Sequence, residues 1–166
     1  MKVLRFAEEI DRSAQRFYEE MAARTEDAGV RRIFENLADD EGELLKRHRG
    51  LAARGDAIDA EALNHGVNVF EQLRHREDHL LVKDDVAAYQ LALDAERSVL
   101  HQYQDAALAE TNPEVRKLLT RLVKDEQHQV EELESLYDFA NAPNHYLAWG
   151  EFSNLGDFEN FGRDLV

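Results

Sequence analysis

The chain has 166 residues and a formal net charge of −15, so it offers no basic face to nucleic-acid phosphates. The absence of cysteine excludes disulfides, thiolate metal sites and cysteine catalysis. No apolar run reaches membrane-spanning length and Met1–Glu9 lack a signal-peptide core, so a cytoplasmic protein with its own hydrophobic core is expected.

The first segment, about Val3 to Arg24, places Val3, Leu4, Ala7, Ile10, Ala14, Phe17, Tyr18 and Met21 at gaps of three and four, a helical stripe. Thr25 to Gly29 forms a turn. The second segment, Val30 to about Ala53, repeats the spacing with Ile33, Phe34, Leu37, Ala38, Leu44, Leu45 and Leu51. Residues 52–84 are polar at both ends, with a short helix expected near Ala60 to Arg74. The third segment starts after the capping residues Asp84 and Asp85 and runs to about Glu110. Pro113 is pre-set for the first turn of the fourth segment, Glu114 to about Ala140. Pro143 opens an aromatic tail, 141–166, carrying Tyr146, Trp149, Phe152, Phe158 and Phe161. Such aromatic density calls for burial on the parent bundle or across a second subunit of a homodimer.

The two halves are one unit used twice. Asp11-Arg12-Ser13 returns as Glu96-Arg97-Ser98, Tyr18 as Tyr103, Leu37 as Leu122, and Asp40-Glu41 as Asp125-Glu126, always 85 residues on. The expected fold is all-α, a four-helix bundle over 1–140. Repeat one (about 3–51) and repeat two (about 85–140) are hairpins, joined by a crossover long enough to travel the bundle's length. The alternative is two hairpins in an open array, but hairpins of this kind cannot bury their faces alone.

Each repeated segment sets one acid inside its apolar stripe. Glu41 lies among Phe34, Leu37, Ala38, Leu44 and Leu45; Glu96 among Ala92, Leu93, Val99 and Leu100; Glu126 among Leu122, Val123 and Val130. Asp11 has Ala7 and Ala14 beside it, with Glu8 and Gln15 on its flank. Residues three and four apart share a helix face, so one carboxylate per helix points at the bundle axis. Burying unpaired carboxylates costs several kcal/mol or forces protonation. No Lys or Arg stands three or four residues from any of them. The compensation is then bound cations, remote arginines or shared protons, and oxygen ligands suit hard metals.

These residues resemble the rubrerythrin branch of the ferritin-like superfamily, through acid-x-x-Ala/Val-x-x-x-Tyr on one helix and Leu-Ala-Asp-Asp-Glu on the next. The resemblance implies iron, or manganese, held by Asp11, Glu41, Glu96 and Glu126, with Tyr18 and Tyr103 beside the ligands. It also implies oxidoreductase chemistry on peroxide or Fe(II). Two histidines expected three residues after the second acid of each repeat are replaced by Leu44 and Gln129. Gln129 is a weak carbonyl donor and a further candidate ligand. Asp11 is one methylene shorter than glutamate. His128 lies about 200° round the helix from Glu126, and His48 sits two turns, roughly 10 Å, beyond Glu41. Neither is expected to replace the lost ligands. Without cysteines for an iron–sulfur relay, any redox role needs an external reductant. One metal, an exchangeable metal or none are all open, and the rival reading is a non-catalytic scaffold that dimerises or binds a partner through its tail. His75 and His79 stand four apart in the crossover and are expected to be a polar surface pair.

Overall fold

A computed structural model describes residues 2–53, 58–76 and 82–160, the side chains of 143–160 excepted. These residues form α1 (Val3–Arg24), α2 (Ala28–Ala52), a 3-10 turn (Glu61–His65), α3 (Val69–Arg74), α4 (Asp85–Ala109) and α5 (Pro113–Asn160). Among the described residues there is no strand, only an isolated bridge between Lys2 and Asp59.

The helix starts follow from local chemistry. Asp27 accepts from the backbone N–H groups of Gly29 and Val30 at 2.8 and 2.9 Å, capping α2. Asp84 accepts from Ala87 N at 2.8 Å and starts α4. Asn112 accepts from Glu114 N at 3.0 Å, and Pro113 takes the first position of α5, where its missing N–H costs nothing.

α1 packs along α2, and α4 along α5; α2 meets α4 and α1 meets α5 across the middle. One continuous core runs through all four long helices, with Tyr18, Phe34, Leu93, Val99, Tyr103 and Leu119 essentially sealed from solvent. Phe70 of α3 enters this core against Phe17 and Tyr18, with ring centroids 5.8 and 5.6 Å apart. A polar clasp holds the connection to α1: Arg74 forks onto Glu20 at 2.6 and 3.0 Å, and Ser13 donates to Glu71 at 3.1 Å.

The structure departs from the sequence reading in two places. The single crossover helix expected near Ala60 to Arg74 is broken in two at 66–68. The break has a cause on each side: Asn68 caps α3 by accepting from Glu71 N at 3.2 Å, and Gly66 lies against the Phe6 ring. A Cβ on residue 66 would stand 2.7 Å from Phe6 Cε2 and Cζ. Gly66→Ala is therefore expected to lower stability by about 1–3 kcal/mol, read as an earlier denaturant midpoint at unchanged slope. The second departure is α5, which does not end near Ala140 but continues past Pro143 to Asn160, roughly twice the length of α4. Pro143 removes the hydrogen bond to the Phe139 carbonyl without ending the helix. The side chains of Tyr146, Trp149, Phe152 and Phe158, and all of Phe161, lie outside the described residues, as does His79; His75 is exposed.

Candidate metal centre

Asp11, Glu41, Glu96 and Glu126 come from α1, α2, α4 and α5 respectively. All four are buried, between 3 and 8 % exposed. They are the only buried Asp and Glu side chains among the described residues. Each sits there because the apolar stripe around it must face the core, and an acid within the stripe is carried in with it.

Tyr18 donates to Glu96 Oε1 at 2.6 Å. Gln129, half-buried, donates its amide to Glu41 Oε1 at 3.0 Å. Glu126 and Glu96 lie close enough for each to shift the other's titration. Asp11 turns aside and meets His48, whose Nδ1 lies 2.6 Å from Asp11 Oδ2. His128 is exposed, pairs with Glu132 at 3.3 Å and stands at the rim of the cavity that reaches Glu41 and Glu96, not among the buried acids.

Burial dominates the electrostatics. It pushes the Glu96 carboxyl up to about 7, against the bond from Tyr18 that favours its anion. Burial, then the charge of Glu96, raises Glu41 and Glu126 well above the ordinary glutamate range. Asp11 is also raised by burial, but His48 and then Arg47 oppose the shift. The two tyrosines are pushed well up by burial and by the surrounding carboxylates, so both stay phenols. Four acids so placed resist ionising together unless a cation compensates them.

Among the described residues three buried side-chain atoms have no hydrogen-bond partner: His48 Nε2, Tyr103 Oη and Glu126 Oε1. Each such group costs about 1–3 kcal/mol if left unpaired, and each lies on a residue in or against the cluster. The repeat explains the tyrosine. Tyr18 reaches Glu96, and the pair related by the 85-residue offset is Tyr103 with Asp11. That second bond is not made, because the shorter Asp11 has gone to His48.

His48 is the residue that sequence reasoning set aside. Along α2 it stands two turns beyond Glu41, but its partner, Asp11, is on α1. In antiparallel helices each Cα–Cβ bond tilts toward its own N-terminus, which here moves His48 and Asp11 toward one another. The signal was the tilt, together with an imidazole on the buried face.

A cavity of about 260 Å³ opens between α2 and α5, with Glu41, Glu96, Leu44 and Gln129 in its wall. Leu44 and Gln129 are the positions where the resemblance implied histidines. Asp40, Asp125 and Glu132 also line it, and Asp40 is itself raised by burial and by the charges of Glu132 and Asp39.

The donor chemistry fits a hard divalent cation: uncompensated carboxylates, an unpaired carboxylate oxygen and an unpaired imidazole nitrogen. Among the described residues no group of three or more His, Asp or Glu side chains is placed to hold a metal ion; Glu96, Glu41 and Asp11 are engaged by Tyr18, Gln129 and His48 instead. No helix among these residues is long and apolar enough to cross a membrane.

The Rubrerythrin family model matches residues 2–137. No significant match is found among curated proteins or among solved structures.

Proposed function

Since the chain belongs to the rubrerythrin family of the ferritin-like superfamily, whose members bind metal, we propose that Asp11, Glu41, Glu96 and Glu126 hold divalent metal, iron or manganese, at the centre of a bundle of two repeated hairpins. The observation that carries this reading is the burial of four acids, one per long helix, with no buried Lys or Arg among the described residues and Arg47 alone reaching the cavity wall from the exposed side. Protons balance these charges in the metal-free protein, and a divalent cation does so with greater charge per site. Gln129 is a neutral oxygen donor once its amide turns.

A bound iron or manganese pair would supply the electron transfer that reduces peroxide or oxidises Fe(II). The chain does the rest. Tyr18 holds Glu96 in one orientation, and Leu44 and Leu133 keep the wall of the cavity apolar where it meets the acids. Asp40, Asp125 and Glu132 draw cations toward the opening. With no cysteine in this chain, electrons come from an external reductant.

The competing reading is a metal-free, non-catalytic ferritin-like scaffold that pairs as a homodimer or binds a partner through the aromatic residues beyond Pro143. It is favoured by the hydrogen bonds that already engage Glu96, Glu41 and Asp11. Metal analysis of protein purified without chelator separates the two. Metal at about two per chain, with a thermal midpoint that falls in EDTA, is the expected result. No metal, together with a midpoint indifferent to EDTA and to added Mn(II), favours the scaffold.

A further inference from the structure

Among the described residues, His48 is the one buried histidine, 4 % exposed, and the repeat gives it no counterpart: the position 85 residues on is Leu133, also buried. A leucine at the equivalent place shows that the packing does not itself call for an imidazole. His48 nevertheless reaches across to α1, and its Nδ1 meets Asp11 Oδ2 at 2.6 Å. One ring nitrogen is thus engaged by Asp11, and the other, Nε2, is left for a further partner. That Nε2 is buried and has no partner.

The same two residues break the symmetry of the site. Glu96 takes the Tyr18 hydroxyl, while its counterpart Asp11 takes His48 and leaves Tyr103 unpaired. The shortened acid and the added imidazole thus act together, and both changes fall in the first repeat. A histidine whose one ring nitrogen donates to a carboxylate, with the other free and buried, is the arrangement in which imidazole binds metal.

We propose that His48 is a nitrogen donor to the metal centre through Nε2, with Asp11 as the carboxylate that fixes its ring, so that the centre is unsymmetrical: nitrogen and oxygen donors on the side of the first repeat, oxygen donors alone on the side of the second. This rests on the metal-holding reading above. It changes the part played by Asp11, from a ligand equivalent to Glu96 to a positioning residue for His48.

Mn(II) added to the metal-free protein and followed by pulsed electron paramagnetic resonance tests it. Nitrogen-14 modulation is expected in the natural chain and is replaced by a nitrogen-15 pattern when histidine alone carries that isotope. His48→Leu, which installs the residue of the equivalent position, is expected to abolish the modulation and weaken Mn(II) binding about 10- to 100-fold. His101→Gln, an exposed histidine of α4 outside the cavity wall, leaves both unchanged. Bound Mn(II) without histidine nitrogen modulation overturns the inference while leaving the carboxylate centre intact, as does modulation that survives His48→Leu. No Mn(II) binding at all removes both. The isotope result needs no substitution, so it decides the matter even where His48→Leu fails to fold.

Discussion

Glu126→Gln is expected to make the metal-free protein more stable at pH 8 while removing its affinity for metal. A core substitution ordinarily costs stability; here the sign reverses because the native side chain must hold a proton to stay buried. Burial and the neighbouring carboxylates raise Glu126 well above the glutamate range. In the unfolded chain the same group ionises freely near 4.3, so folding at pH 8 has to take up a proton or bury a charge. Glutamine is neutral, nearly the same shape, and can donate its amide to Glu96. The gain is read as a higher thermal midpoint for the variant than for the natural chain at pH 8, a difference that shrinks toward pH 4.5. With Mn(II) present the order inverts, because the natural chain is stabilised by mass action and the variant is not. Glu126→Ala, which leaves a cavity, is expected to destabilise under both conditions and so separates charge from packing.

The pH dependence of the metal-free protein is the second large effect. Glu96 sits at about 7 in the fold against 4.5 for an exposed glutamate. Between those values the folded protein binds more protons than the unfolded chain, so the free energy of unfolding falls as pH rises. The contribution is fully present below about 4.5 and is lost as pH passes through 7. For Glu96 alone the loss amounts to about 3 kcal/mol, and Glu41 and Glu126 extend the decline to higher pH in the same direction. Urea midpoints measured from pH 5 to pH 8.5 in EDTA are expected to fall steadily, and saturating Mn(II) to flatten or reverse that slope. A flat profile in EDTA would mean that the carboxylates reach water in the folded protein.

How much of this was legible in the residues depends on whether the information is periodic. The segment expected over about Val3 to Arg24 is α1, because its apolar gaps run from Val3 to Met21, one turn short of the helix end. Asp84 announced α4 by its capping chemistry. The burial of the four acids followed from the stripes around them and from the 85-residue offset. What escaped was geometry between elements. The Asp11–His48 contact depends on the tilt of side chains on neighbouring antiparallel helices, which no spacing along either one encodes. Gly66 gave no hint that the Phe6 ring, sixty residues earlier, would occupy its Cβ space and break the crossover helix. Pro143 misled in the other direction: proline disfavours a helix interior, yet α5 carries through it. Leu44 and Gln129 stand where the resemblance implies histidines, but that both line one cavity beside Glu41 and Glu96 required the packing of α2 on α5.

The lost histidines also read differently once His48 is placed. Counted along α2, the imidazole has been removed from position 44 and another stands one turn further on, buried and bonded to the shortened acid of α1. Relocation of a nitrogen donor, rather than its loss, then describes the first repeat. The second repeat, with Leu133 at the equivalent position and Gln129 bonded to Glu41, keeps oxygen donors only.

The central claim is that the buried carboxylates carry protons which a divalent cation replaces. Titrating metal-free protein with Mn(II) in lightly buffered solution at pH 7, with metal uptake and proton release recorded together, tests it most directly. The account predicts saturable uptake accompanied by proton release, abolished by Glu126→Gln. Absence of uptake, or uptake that releases no protons, would contradict it.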